Sequence, residues 1–222
     1  MMVGERECRG MGVRAGLRAG MAAAVLWVAG AVGAIAQEEP GAAQGVARLA
    51  TAAQLADWGR ERDDPGALIL AARMVAEVPL QAQGDAAPFF TADALLDEAL
   101  AMSGDDPAYA AAIAVVRQDP TRGVVTSPYG RGPIATVKTM RAREAYGFDV
   151  IARPNEILRV AAIGDGDVPL DLSVRDSAGR VLCRSGVVDH YPVCTVRPRV
   201  GRVRIEVTNG GGVWSRVQIL SN

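Results

Sequence analysis

Two hydrophobic periods divide this chain. From about 43 to 118, apolar residues recur at helical spacing. Val46, Leu49, Ala50, Ala53 and Ala56 mark a first helix over about 43–60. Asp64 directly before Pro65 sets an N-cap residue ahead of a proline at the first helical position, and Leu68, Leu70, Ala71, Met74 and Val75 follow. Thr91 is the expected cap of a third helix carrying Leu95, Leu96, Ala99 and Leu100. Asp106-Pro107 repeats the cap-plus-proline start and opens a fourth helix to about Arg117.

After about 144 the period changes to two. Strands are expected near 147–152 and 157–163, and Leu170, Leu172 and Val174 then alternate with Asp171, Ser173 and Arg175. Ser177-Ala178-Gly179 supplies a tight turn into Val181-Leu182-Cys183. Val203, Ile205 and Val207 alternate with Arg202, Arg204 and Glu206, and Asn209-Gly210 is a hairpin signal leading into a last strand over 213–220. About seven short strands with glycine-rich turns predict an antiparallel, jelly-roll-like β-sandwich, one face of each strand buried and the other wet. Between the two patterns, Pro120, Gly123, Pro128, Gly130, Gly132 and Pro133 break the helical period and read as a linker. Arg122, Arg131, Lys138, Arg141 and Arg143 make it basic. The expected class is α+β in two parts: an alanine-rich helical bundle or helical-hairpin domain at 37–118, a linker at 119–143, and a sandwich at 144–222.

The first 36 residues have the layout of a secretory signal. Arg9, Arg14 and Arg18 lead an apolar run over 21–34, and Ala34-Ile35-Ala36 fits the small-x-small cleavage rule. The run is short for a spanning helix, so no membrane span is expected after cleavage. Export changes the meaning of the cysteines. Cys8 falls in the leader, and the remaining pair, Cys183 and Cys194, is expected to form a disulfide. The leader also holds four arginines and two glutamates, which leaves 20 of the 24 basic and 23 of the 25 acidic residues, a net charge of −3. That mild acidity argues against nucleic acid as the partner.

Within 144–222, the stretches Gly164-Asp-Gly-Asp167, Leu170-Asp-Leu-Ser-Val174, Asp176-Ser-Ala-Gly179, Val207-Thr-Asn-Gly210 and Gln218-Ile-Leu-Ser-Asn222 resemble the bacterial pre-peptidase C-terminal (PPC) type of β-sandwich. The resemblance implies a non-catalytic appendage that aids secretion, stability or binding to surfaces or polymers. The helical stretch resembles a degenerate tetratricopeptide-like array, Leu68, Ala71 and Ala72 matching Ala110, Ile113 and Ala114.

Candidate chemistry is sparse. Asp165, Asp167 and Asp171 are candidate calcium ligands, although Val168-Pro169 stand where the PPC pattern often carries another acid, and no bidentate glutamate closes the loop. No other cofactor is expected. His190 beside Asp189 is the one histidine, and it reads as a surface-loop residue because no nucleophile elbow, phosphate loop or ligand cluster accompanies it. Trp214, Tyr191 and Arg216 are the candidate contact residues, with Trp214 and Tyr191 as a platform for a sugar ring. The expected function is non-catalytic binding or adaptation at the cell envelope, in the periplasm or outside the cell, with an envelope protein or a surface polymer as partner. The alternatives are a carbohydrate-binding module and a hydrolase of unrecognised type.

Overall fold

The computed structural model describes residues 39–104, 106–118, 127–186, 189–199 and 201–222. The signal segment expected at 1–36 and residues 119–126 of the expected linker lie outside the described residues. Glu38–Asn222 forms one compact unit.

The helical starts follow the capping logic. Helix α1 spans Gly41–Arg60, α2 Pro65–Ala76, α3 Ala92–Ser103 and α4 Pro107–Gln118. Asp64 Oδ1 accepts from the Gly66 and Ala67 amides at 2.9 and 3.2 Å, Thr91 Oγ1 from Ala94 at 3.2 Å, and Asp106 Oδ1 from Ala108 at 2.8 Å. Each bond satisfies an amide that the first helical turn leaves without a partner.

The strands are β1 (Gln81–Gln83), β2 (Ile134–Met140), β3 (Ala145–Ile151), β4 (Leu158–Gly164), β5 (Leu170–Asp176), β6 (Val181–Ser185), β7 (Val193–Val196), β8 (Arg202–Asn209) and β9 (Ser215–Ser221). They form a five-stranded sheet in the order β1-β2-β9-β4-β7 and a four-stranded sheet in the order β3-β8-β5-β6. Every pairing is antiparallel except that of β1 with β2. The α+β class and the sandwich therefore hold.

Side chains from the facing sheets, among them Val160, Ala162, Leu172, Val174, Ile205, Val217 and Ile219, fill the sandwich core. A second core lies on the other face of the five-stranded sheet. There Ala135, Ala161, Ile163 and Leu220 pack with Val46, Leu49, Leu68, Phe90, Leu95 and Leu96 from the helical segment. The result is three layers, helices on sheet on sheet, so the helices are not a bundle with a private core.

Three expectations change. First, the middle of β4 and most of β9 have no wet face: Val160, Ala161, Ala162 and Ile163 are all buried, as are Val217, Gln218, Ile219 and Leu220. A continuous apolar run such as Val160–Ile163 is the mark of a strand covered on both sides.

Second, the segment 119–143, read as a linker, supplies β2, which lies between β1 and β9. Its approach is tight. Gly132 has φ 74°, and a Cβ there would sit 1.6 Å from the Pro79 carbonyl oxygen, so the two segments cross at backbone contact. The Gln81 amide donates to Pro133 O at 3.0 Å just beyond the crossing.

Third, Asn209-Gly210 makes no hairpin. It carries the chain from β8 in one sheet to β9 in the other. A two-residue primed turn needs positive φ at the first central position or at both, and neither residue has it. Instead Asn209 is fully buried, donates through Nδ2 to Val213 O at 2.8 Å and to Met140 O at 3.4 Å, and accepts from the Gly211 amide at 2.8 Å.

The expected disulfide is present. Cys183 on β6 and Cys194 on β7, with Cα atoms 5.8 Å apart, tie an edge strand of each sheet together. Among the described residues, no helix is long and apolar enough to cross a membrane.

Candidate functional site

The informative end of the molecule is where β4 leaves for β5 and the chain enters β9. Gly164 pairs with Val217 there, so the loop after β4 and the loop before β9 are neighbours. Asp165 locks them together: Oδ1 accepts from Ser215 Oγ at 2.5 Å and Oδ2 from the Arg216 amide at 2.8 Å. Val213 and Trp214 project from this fastened loop, 54% and 60% exposed.

The face shared by Arg216 and Gln218 runs under the helical layer. Gln218 is completely buried, and its Oε1 accepts from the amides of Phe89 and Phe90, both at 3.0 Å. One turn of the pleat earlier, the Arg216 guanidinium lies 4.8 Å from the Phe89 ring centroid, a cation–π contact. Trp214 precedes the strand and stands beyond the cover. The exposed aromatic and the buried amide are thus two ends of one graded surface.

Beneath the Phe89-Phe90 segment lies a cleft of about 170 Å³. Phe89, Phe90, Ala94 and Leu95 give it apolar walls, and Arg60, Glu98, Asp165 and Tyr191 give it polar ones. Arg60, at the end of α1, meets Glu98 of α3 in a two-pronged ion pair, Nε to Oε1 at 2.6 Å and Nη2 to Oε2 at 2.8 Å. This pairing raises the Arg60 pKa above its ordinary value, against the opposing effect of burial. Tyr191 is 4% exposed, and its hydroxyl is buried beside Asp57 and Arg60. Burial pushes that hydroxyl well above the usual phenol range, and the charge of Asp57 adds to the rise.

Several candidates from the sequence land elsewhere than expected. Tyr191 belongs to the core under the helices, so it cannot form an exposed platform with Trp214. Arg216 is exposed but turned onto Phe89. The three calcium candidates do not converge. Asp165 is committed to Ser215 and Arg216, Asp167 is exposed in the loop, and Asp171 on β5 has Arg184 at 3.9 Å. Among the described residues, no group of three or more His, Cys, Asp or Glu gathers to hold a metal.

Asp189 accepts from the Tyr191 amide at 2.8 Å, which makes it a turn former. His190 is half-buried with Nδ1 unpartnered, and its carbonyl accepts from Gly164 at 3.2 Å. The cleft residues Arg60, Phe89, Phe90 and Glu98 were not singled out by sequence as a site. They come from separate segments, and the adjacent aromatics in an otherwise irregular stretch were the available signal.

No protein-family model matches the chain, and no curated protein matches it. Solved structures similar to part of it include the Yersinia pseudotuberculosis-derived mitogen, at 11% identity over 41% of this chain and 85% of that one, with a TM-score of 0.32. The pre-peptidase C-terminal domain of a collagenase from Bacillus anthracis is similar at 4% identity over 42% and 79%, with a TM-score of 0.27. PliG of Aeromonas hydrophila, a periplasmic inhibitor of g-type lysozyme, is similar at 10% identity over 40% and 86%, with a TM-score of 0.30.

Proposed function

We propose that this chain is a non-catalytic binding or adaptor protein of the cell envelope, and that it meets a protein partner with the loop end bearing Val213 and Trp214. The observation that carries the reading is Trp214, 60% exposed on a loop held by Asn209 behind it and Asp165 beside it. A large aromatic costs hydration where it stands, and a fixed one loses little entropy on docking, which is why tryptophan is enriched at interface hot spots. The Cys183–Cys194 disulfide supports a working place in an oxidising compartment. A surface polymer remains the second reading, and it rests on Trp214 without Tyr191.

The test is capture from cell-envelope extract with crosslinking and mass spectrometry, comparing the natural chain with Trp214→Ala. Loss of a reproducible partner in the variant is the expected result. Equal recovery by both proteins removes Trp214 from the interface. Retention on purified cell-wall polymer that depends on Trp214, with no protein captured, would favour the second reading.

A further inference from the structure

The loop end opposite Trp214 has a chemistry of its own. β5 starts beside Asn209 and ends at Asp176, so the β5–β6 turn lies at the far end of the sandwich. There Asp176, Arg180 and Leu182 meet Arg197 and Arg199, which follow β7, around a hollow of about 290 Å³. The neighbouring Cys183–Cys194 disulfide ties the two walls of this hollow together.

Local bonds hold the arginines in place. Asp176 accepts from the Arg180 amide at 2.9 Å and from its Nε at 3.0 Å, which seats that guanidinium at the rim. The Asn155 amide donates to Pro198 O at 2.7 Å, and the buried Pro198 leaves Arg197 and Arg199 exposed on either side of it. Arg197 Nη1 donates to Asn155 O at 3.3 Å. Among the described residues, Arg199 makes no hydrogen bond or ion pair. Three guanidiniums against one carboxylate leave two positive charges around the hollow, in a chain that is acidic overall. A concavity lined by one sign of charge focuses the field and draws the opposite ion. A carboxylate guest would answer one of those charges. A phosphoryl monoester carries about 1.5–2 negative charges at pH 7, and its three oxygens fit guanidinium forks.

We propose that this hollow binds a phosphoryl monoester, with Arg197 and Arg199 gripping its oxygens and Arg180, whose Nε and Nη2 face Asp176, offering Nη1. A phosphorylated sugar and a phosphomonoester lipid headgroup present the same group. The assignment does not depend on the protein partner proposed above, which meets the other end of the sandwich.

The test is calorimetric titration at low salt with inorganic phosphate, glucose 6-phosphate and glucuronate. Saturable binding of both phosphates is expected, about fivefold or more tighter than that of glucuronate and weakened by added salt. Arg199→Gln should weaken it about tenfold, the loss of one charge-assisted contact, with the melting temperature unchanged. Arg197→Gln with Arg199→Gln should abolish it. Arg184→Gln, on β6 beside Asp171 and outside the hollow, should leave it intact.

Vesicles of phosphatidic acid in phosphatidylcholine separate the two sources. Sedimentation with them that is lost in Arg199→Gln assigns the site to a lipid headgroup. Binding of glucose 6-phosphate without sedimentation assigns it to a sugar phosphate, and either result upholds the site. No saturable heat with either phosphate overturns the inference. Glucuronate bound as tightly as glucose 6-phosphate, binding that survives the double variant, or an equal loss in Arg184→Gln overturns it as well, since the attraction is then diffuse.

Discussion

Gln218 and Phe90 are 128 residues apart and joined by one hydrogen bond of 3.0 Å, from the buried Phe90 amide to the Gln218 side-chain oxygen. The same oxygen accepts from Phe89. A glutamine thus stands where a covered sheet would ordinarily carry an aliphatic residue, because the segment above it presents two amides with no strand or helix to pair them. Gln218→Leu keeps the volume and strands both donors. A loss of about 2–6 kcal/mol is expected, at about 1–3 kcal/mol for each orphaned group, read as a shift of the urea midpoint.

The disulfide should act mainly on the unfolded chain. Removing it by Cys183→Ala with Cys194→Ala is expected to cost about 2–3 kcal/mol on the loop-closure argument, with the fold retained. Reductant added to the natural protein should give the same displacement of the melting curve, and should do nothing to the double variant.

Two nearby glycines separate conformational from steric demand. Gly130 has φ 60° and open space around it, whereas Gly132 has φ 74° and the Pro79 carbonyl against it. Gly130→Ala is expected to cost about 1–2 kcal/mol, the penalty of a left-handed alanine. Gly132→Ala adds a backbone collision and should cost upward of about 4 kcal/mol. Equal costs by denaturant titration would show that the crossing of 79 and 132 relaxes freely.

Acid sensitivity has an identifiable source in the β5–β6 turn. The Asp176 carboxylate accepts from the amides of Arg180 and Ala178 and from the Arg180 guanidinium, and these bonds hold its pKa below the ordinary carboxylate value, the Arg180 amide foremost. A depressed folded-state pKa contributes stability that is present above the unfolded value near 4 and lost as pH falls through the folded one. Asp176→Asn should therefore be less stable than the natural protein at neutral pH, and the gap should close as melts are taken toward pH 2. Because Arg180 is largely exposed, added salt should weaken only its side-chain share.

The helices were legible because their signals are local. Asp64-Pro65, Thr91 and Asp106-Pro107 announce a start within four residues, and the structure begins α2, α3 and α4 where they say. The strands with an alternating pattern, β5 and β8, were equally plain. What escaped were elements whose identity is set from outside. β2 follows a dense run of proline and glycine, and its partners β1 and β9 are 51 or more residues away in the chain. β7 has four residues and gains its place from β4 and the disulfide.

The face of β9 was harder for a related reason. Placing Trp214, Arg216 and Gln218 on one side was sound, yet nothing local shows that helices cover that side from Gln218 onward. The Tyr191 pairing with Trp214 failed on the same cover. The cleft assembles Arg60, Phe89, Glu98, Asp165 and Tyr191 from segments that only the tertiary fold brings together, so no spacing in the sequence betrays it.

The shared layer has a consequence for how such a sandwich is inherited. A stretch beginning at 144 leaves β2 behind, so β9 changes from an interior strand to an open edge, and Ala161, Ile163 and Leu220 face water. An unpaired, apolar edge of that kind invites association with other chains. The portion that looks like a transferable cassette is therefore indivisible from its helices.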